Sequence, residues 1–327
     1  MQLSACINGV AADQAVSPIS VATLAPETVP GVSLYLSDAA GVSFKLYRGP
    51  EHSITVTDLE NLRDRGVLRL YVARDERERY QEYLRETLET VLDDGSISAE
   101  RRLGCLNGVV RDVLEDVFRQ GNLDNRIQKF RELGEMTVRG ICHDDVVFGE
   151  ILHVLCHDYH TFMHSANVAF YCVMLARSIG IQDRRELSAI ATGGLLHDVG
   201  KLDIPAAVLN KPGRLEDKEL KLIRRHPTLG FRKLSHQTEL LLEQVLMVYQ
   251  HHEQVNGSGY PVGCTARELH LWGRICAVAD VFDALTSNRP YRPALSVSEA
   301  CAKMQAQSGT AFDQDILKCW MQYVSKT

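Results

Sequence analysis

No stretch of this chain approaches the run of about 18 apolar residues that marks a membrane-spanning helix, so insertion into a bilayer is not expected. No C-x-x-C pair occurs among the nine cysteines, which are odd in number and scattered. Most are expected to be reduced, buried, small apolar residues, as in a cytoplasmic protein. Positive charge is not in excess, because 36 Lys and Arg stand against 42 Asp and Glu for a net −6. That balance argues against a broad surface for nucleic-acid polymers or membranes, so an anionic ligand has to be met by a local basic pocket. The opening MQLSACINGVAADQ lacks the basic and apolar blocks of a secretory signal. Internal repeats and low-complexity linkers are missing too, and histidine is nearly absent over most of the chain.

What is present is ordinary in bulk and uneven in detail. The 327 residues, 45% hydrophobic and 24% charged, are enough for two domains with a core in each. The expected fold class is α+β: a small β-containing N-terminal module followed by an all-α C-terminal domain. GVSLYLS (31–37) and VSFKLYR (42–48) read as strands joined through Ala39-Ala40-Gly41, and VLRLYV (67–72) as a third. Between them lies a short helix capped by Thr57 or Asp58 and stopped at Gly66. Residues 1–75 thus predict a small β-rich or α/β module with a regulatory role. Helical spacing begins after Asp75, where Tyr80, Leu84, Leu88 and Val91 share a face. Stretches 98–120 and 123–142 continue it, which makes 76–149 a helical connector and 150–327 the catalytic domain.

Ten of the 12 histidines lie between His153 and His270. His160 and His164 are four apart and can share a helix face. LSAIATGGLLHDVGK places His197-Asp198 at the end of a small-residue apolar helix, with Lys201 one turn on. His226-Pro227 marks a helix start, since proline suits the first turn. His251-His252 ends the apolar segment ELLLEQVLMVYQ, and Asp280 sits among apolar residues in RICAVADVFDALTS. A carboxylate in such surroundings needs a charge partner when buried. Imidazoles beside carboxylates suit first-row transition metals, Fe, Mn, Zn or Ni. Two such ions a few Å apart can activate water and clamp a phosphodiester. The candidate metal ligands are therefore His164, His197, Asp198, His226, His251, His252 and Asp280, with Asp198 the natural bridge.

In HSANVA, LLHDVGKLDIP, RRHPTLG, HHEQVNGSGYP and VADVFDALTSNRPYRP, the chain from about 150 to 327 resembles the HD-GYP domain. This is the subgroup of HD-superfamily hydrolases that degrade bacterial cyclic di-GMP. The resemblance implies two divalent transition metals, Fe or Mn favoured over Zn or Ni, held by the seven residues above. It implies catalytic parts for Asp198, Lys201 and Tyr260, and substrate contacts from Lys201, Tyr260, Arg289 and Arg292. His160 stands where three-metal members carry a glutamate, which leaves a third metal open, while Asp283 and Glu253 are candidates for orienting ligands. The implied reaction opens cyclic di-GMP to pGpG, with further hydrolysis to GMP open, in a cytoplasmic bacterial protein. Another cyclic dinucleotide such as cyclic GMP-AMP, or a non-catalytic sensor and scaffold, are the alternatives. Signalling proteins such as diguanylate cyclases, or a second copy of the chain, are the protein partners such a role would bring.

Overall fold

The structure is a computed structural model and describes residues 6–7, 10–11, 16–38, 43–95, 97, 99–120, 126–142, 161–209, 211, 213–288 and 293–325. By its internal contacts the chain forms two compact units, Met1–Val113 and Leu114–Thr327, and it is α+β. No described helix is long and apolar enough to cross a membrane.

The first unit is built on an antiparallel four-stranded sheet of order β3-β6-β4-β5. Its strands are β3 (Val16–Ser20), β4 (Leu34–Ser37), β5 (Phe44–Arg48) and β6 (Arg69–Ala73). A two-stranded pair, β1 (Cys6–Ile7) and β2 (Val10–Ala11), precedes it. Sequence reading finds β4, β5 and β6 but not β3, because VSPIS contains Pro18. Proline cannot donate to a ladder and is tolerated at a sheet edge, which is where β3 lies, paired with β6 from Val16↔Ala73 to Ser20↔Arg69. The expected hairpin residues Ala39-Ala40-Gly41 lie outside the described residues. Helix α1 (Val56–Asp64) is capped by Thr55 rather than Thr57 or Asp58. Thr55 Oγ1 accepts from the Asp58 amide at 3.1 Å and Asp58 accepts in return from the Thr55 amide at 2.9 Å, a closed capping box.

In helix α2 (Arg77–Asp93) the face of Tyr80, Leu84, Leu88 and Val91 is buried. Most charged side chains, which suggest a solvated connector, occupy its other faces, but Arg77 is buried on the same side and donates to the Pro18 carbonyl at 3.3 Å. Tyr83 joins the same core, its hydroxyl accepting from the Ala25 amide at 3.0 Å. Helix α3 (Ala99–Gln120) follows, apolar along one side through Leu103, Leu106, Val110 and Leu114. The contact-based division of the units, between Val113 and Leu114, falls inside the stretch 76–149.

The second unit is helical: α4 (Ile127–Ile141), α5 (Thr161–Ser178), α6 (Arg184–Leu196), α7 (Ala206–Leu209), α8 (Asp217–Ile223), α9 (His226–Leu234), α10 (Leu242–Gln250), α11 (Leu271–Thr286), α12 (Val297–Gln305) and α13 (Gln314–Val324). Helix α6 is central, in contact with α4, α5 and α10. Its Gly194 lets α5 come so close that an added Cβ would sit 2.8 Å from Ala169 Cα. Gly200 does the same for the turn after α6, since a Cβ there would lie 2.0 Å from the His226 carbonyl oxygen. Helices α5 and α11 pack face to face, and Trp320 of α13 closes their far end against Tyr171 and Phe282 with ring centroids 5.6 and 5.0 Å apart.

Candidate metal centre

These close approaches deliver side chains from five segments to one buried place. His164 comes from the first turn of α5, and His197-Asp198 from the end of α6. His226 opens α9, His251-His252 follow α10, and Asp280 projects from the middle of α11. All are buried except His252, which keeps about a quarter of its side chain exposed (25%).

The two carboxylates divide the imidazoles between them. Asp198 Oδ2 lies 3.4 Å from His197 Nε2 and 3.6 Å from His164 Nε2, while its Oδ1 lies 3.2 Å from His226 Nε2. Asp280 Oδ1 is 3.0 Å from His164 Nε2, and its Oδ2 is 3.7 Å from His252 Nδ1. Two groups of three that share no member could each hold a metal: His164, His197 and Asp280, and His226, His251 and His252. A third, His197, Asp198 and His251, overlaps the first two.

The hydrogen-bond partners of the rings are those that a ligand set would need. Three rings face the carbonyl three residues back: His197 Nδ1 to Gly194 at 2.7 Å, His226 Nδ1 to Ile223 at 2.8 Å, and His251 Nδ1 to Val248 at 2.8 Å. A carbonyl only accepts, so each Nδ1 carries the hydrogen and each Nε2 turns a lone pair inward, the usual arrangement behind a metal-bound imidazole. The Nε2 atoms of His226 and His251 are 3.0 Å apart with no proton to share between them. Among the described residues His197 Nε2 and Asp198 Oδ1 have no hydrogen-bond partner. Each buried, unmatched acceptor costs about 1–3 kcal/mol, and a cation among them removes that cost. The residues fit a metal.

Charge points the same way. Burial would raise the Asp198 carboxyl, but Lys201 and the His197 ring hold it well below the usual carboxylate range. Asp280 is likewise held down against its burial, chiefly by hydrogen bonding to His164. Burial pushes His226 down to about 3 and His252 to about 4, and holds His251 well below its ordinary value. These rings are neutral at neutral pH, the form that binds metal. Burial would also lower His164, yet its hydrogen bonds to Asp280 and Asp283 outweigh that and lift it to about 10.

This predicts how the metal-free protein responds to acid. An unfolded histidine titrates near 6.5. Below that pH the unfolded chain takes up protons that folded His226 and His252 refuse, so stability falls as pH drops from about 6.5 towards 4. His164 has the opposite sign, its contribution complete below 6.5 and lost as pH rises towards 10. Melting of chelated protein across pH 4–7 is the check, and a flat profile would show that these rings are not held neutral.

The surroundings fix the ligands. Asp283 accepts from His164 Nδ1 at 2.7 Å and from Asn167 Nδ2 at 2.8 Å, which aims His164 Nε2 inward. Asn167 is a member that residue chemistry alone does not single out, although it lies one turn beyond His164. Lys201 Nζ donates to Asp198 Oδ2. Glu253 is buried, but its carboxylate is engaged by the following loop, accepting from the amides of Val262 at 2.7 Å, Gly263 at 3.0 Å and Cys264 at 3.2 Å. That clamp presents Tyr260, whose ring stacks on His252 with centroids 4.8 Å apart. Arg224, also unforeseen, lies over the other partner of the stack, its guanidinium 5.4 Å from the Tyr260 centroid. His160, Arg289 and Arg292 lie outside the described residues. His270 is drawn away as the cap of α11, its Nδ1 accepting from the Trp272 amide at 3.2 Å.

A helical unit that brings seven histidine and aspartate side chains together, six at helix ends and Asp280 from mid-helix, has the residue set of a metal centre of the His-Asp type. The chain belongs to the HD domain family, whose model matches residues 152–316. It is 38% identical over 167 residues to a cyclic di-GMP phosphodiesterase of Pseudomonas aeruginosa, covering 51% of this chain and 40% of that protein. It is 42% identical over 141 residues to a cyclic di-GMP phosphodiesterase response regulator of Xanthomonas campestris, covering 43% and 37%. A 3'3'-cGAMP-specific phosphodiesterase of Vibrio cholerae is 35% identical over 156 residues, covering 48% and 34%. The chain thus spans well under half the length of these curated relatives. Among solved structures, an HDG"Y"P protein from Bdellovibrio bacteriovorus superposes with a TM-score of 0.70 at 20% identity, over 95% of this chain and 99% of that one. The likeness establishes the HD-GYP fold.

Proposed function

We propose that the chain is a metal-dependent phosphodiesterase that hydrolyses cyclic di-GMP to pGpG, with two divalent transition metals, Fe or Mn by preference. The observation that carries the two-metal reading is Asp198. Its two oxygens face different imidazoles, and it stands between triads that have no residue in common. His164, His197 and Asp280 form one ligand set, and His226, His251 and His252 the other. Metal ions in such a centre lower the pKa of water to about 7 and polarise the phosphoryl oxygens.

The chain's own groups do the rest. Asp283 and the carbonyls of Gly194, Ile223 and Val248 hold the rings in the one tautomer that presents a lone pair. Lys201, with a fifth of its side chain exposed (19%), offsets negative charge developing on the phosphate beside Asp198. Burial pushes the Tyr260 phenol above its ordinary value, so it stays protonated and can donate to a phosphate oxygen. Arg289 and Arg292 supply forked donors for phosphate. The first unit contributes no group of metal-binding residues among those described, and we assign it a regulatory role.

A second substrate, cyclic GMP-AMP, is favoured by the relative named for it, and the phosphate chemistry does not separate the two. Metal-replete protein incubated with each nucleotide and resolved by chromatography provides the test. Linear pGpG from cyclic di-GMP is the expected product. Nucleotide bound without turnover would replace the enzyme with a sensor.

A further inference from the structure

We propose that Arg224 is a further substrate-binding residue, holding the second, non-reacting phosphate of the cyclic dinucleotide at the mouth of the metal centre. The inference rests on the function proposed above and deepens it. A cyclic dinucleotide carries two phosphodiesters, and only the one being cleaved can lie on the ligand cluster. In a chain of net charge −6 the other needs a nearby cation that is not already neutralised.

Several basic side chains of the second unit are already engaged among the described residues. Lys201 donates to Asp198. Lys211 donates to Glu219 at 2.7 Å and lies 3.5 Å from Glu216. Lys233 pairs with Asp203 at 2.9 Å and Arg274 with Asp313 at 2.7 Å. Among the described residues Arg224 makes no ion pair and no side-chain hydrogen bond, yet it is not adrift. It follows α8, two residues before the ligand His226, and its guanidinium lies over the Tyr260 ring that stacks on His252. An arginine held through its flat face keeps its N–H edge free, and its five donors find no acceptor among the described residues. Arg224, Tyr260 and His252 thus form a column of contacts that leads from exposed surface to the cluster, with an unspent cation at its outer end.

The test uses the full chain, metal-replete, with cyclic di-GMP and with bis(p-nitrophenyl) phosphate, a diester that has one phosphate only. Arg224→Ala is expected to raise KM for cyclic di-GMP about ten- to a hundredfold, the loss that goes with one charged hydrogen-bonding partner. kcat, bound metal and kcat/KM for the small ester should stay within about threefold of wild type. Arg224→Lys should recover part of the loss, and Lys218→Ala, which removes an exposed charge elsewhere on α8, should show none of it. Arg224→Gln keeps most of the volume, so a folding defect in the alanine variant would not decide the matter. An unchanged KM would overturn the proposal. So would an equal loss on both substrates, which would mean that Arg224 acts through Tyr260 or the cluster. Wild-type protein that cleaves the small ester but neither binds nor cleaves a cyclic dinucleotide would overturn the proposed function itself, and the role of Arg224 with it.

Discussion

Asp198→Ala is expected to abolish measurable turnover and to lower bound metal below about one equivalent per chain. The carboxylate lies among imidazoles of both sets, Oδ2 towards His164 and His197 and Oδ1 towards His226, and it belongs to neither of the two separate triads. Without it the two triads lose their common anion, and Lys201 loses the acceptor that holds its ammonium at the site. Metal polarisation of a phosphoryl group contributes several kcal/mol to the transition state, so a loss of a thousandfold or more in kcat/KM is the scale to look for. His197→Ala removes a member of one triad and should lower metal and activity in the same direction. Folding is followed by melting temperature on the same preparations. Near wild-type turnover in metal-replete Asp198→Ala would end the two-metal reading.

Much of this centre was legible in the sequence because ligand chemistry lies in residue identity, and six of the seven candidates fall in dipeptides or at helix ends, with Asp280 set among apolar residues mid-helix. What the sequence hides is how they are grouped and aimed. The tautomer lock depends on carbonyls of Gly194, Ile223 and Val248, which any residue type could supply, and on where each helix terminates. Glu253, beside two ligand histidines, reads as an orienting group from spacing alone. In the fold its oxygens accept amides of Val262, Gly263 and Cys264, and its effect on the centre runs through the loop that carries Tyr260. Arg224 is one of two adjacent arginines before His226, and only a contact 36 residues further along the chain distinguishes it. In the sheet, Pro18 masked an edge strand. In α2, the charged residues that suggested a solvated helix flank an apolar face that is buried. In both places tertiary packing overrode a local signal.

A fragment beginning at Leu114 is expected to fold, bind metal and retain turnover, whereas one beginning at residue 150 is expected to lose all three. The resemblance to HD-GYP proteins begins near 150 and invites a cut there, but the cut removes α4. That helix buries Ile127, Phe130, Leu133, Val138 and Ile141 and packs on α6, whose end carries His197 and Asp198. Fully burying such a side chain stabilises by roughly 1.5–3 kcal/mol, so the five together contribute about 7–15 kcal/mol as an upper estimate. The net stability of a domain is about 5–15 kcal/mol, so deletion consumes most or all of it. The fit of the two helices is also close, since a Cβ on Gly134 would lie 2.7 Å from the Ser188 carbonyl oxygen, and no loop can replace that contact. Melting temperature, metal content and turnover of the two fragments beside the full chain decide the matter. A stable, active 150–327 fragment would show that α4 is dispensable. A 114–327 fragment that folds and binds metal but turns over nothing would place part of catalysis in the sheet-bearing unit.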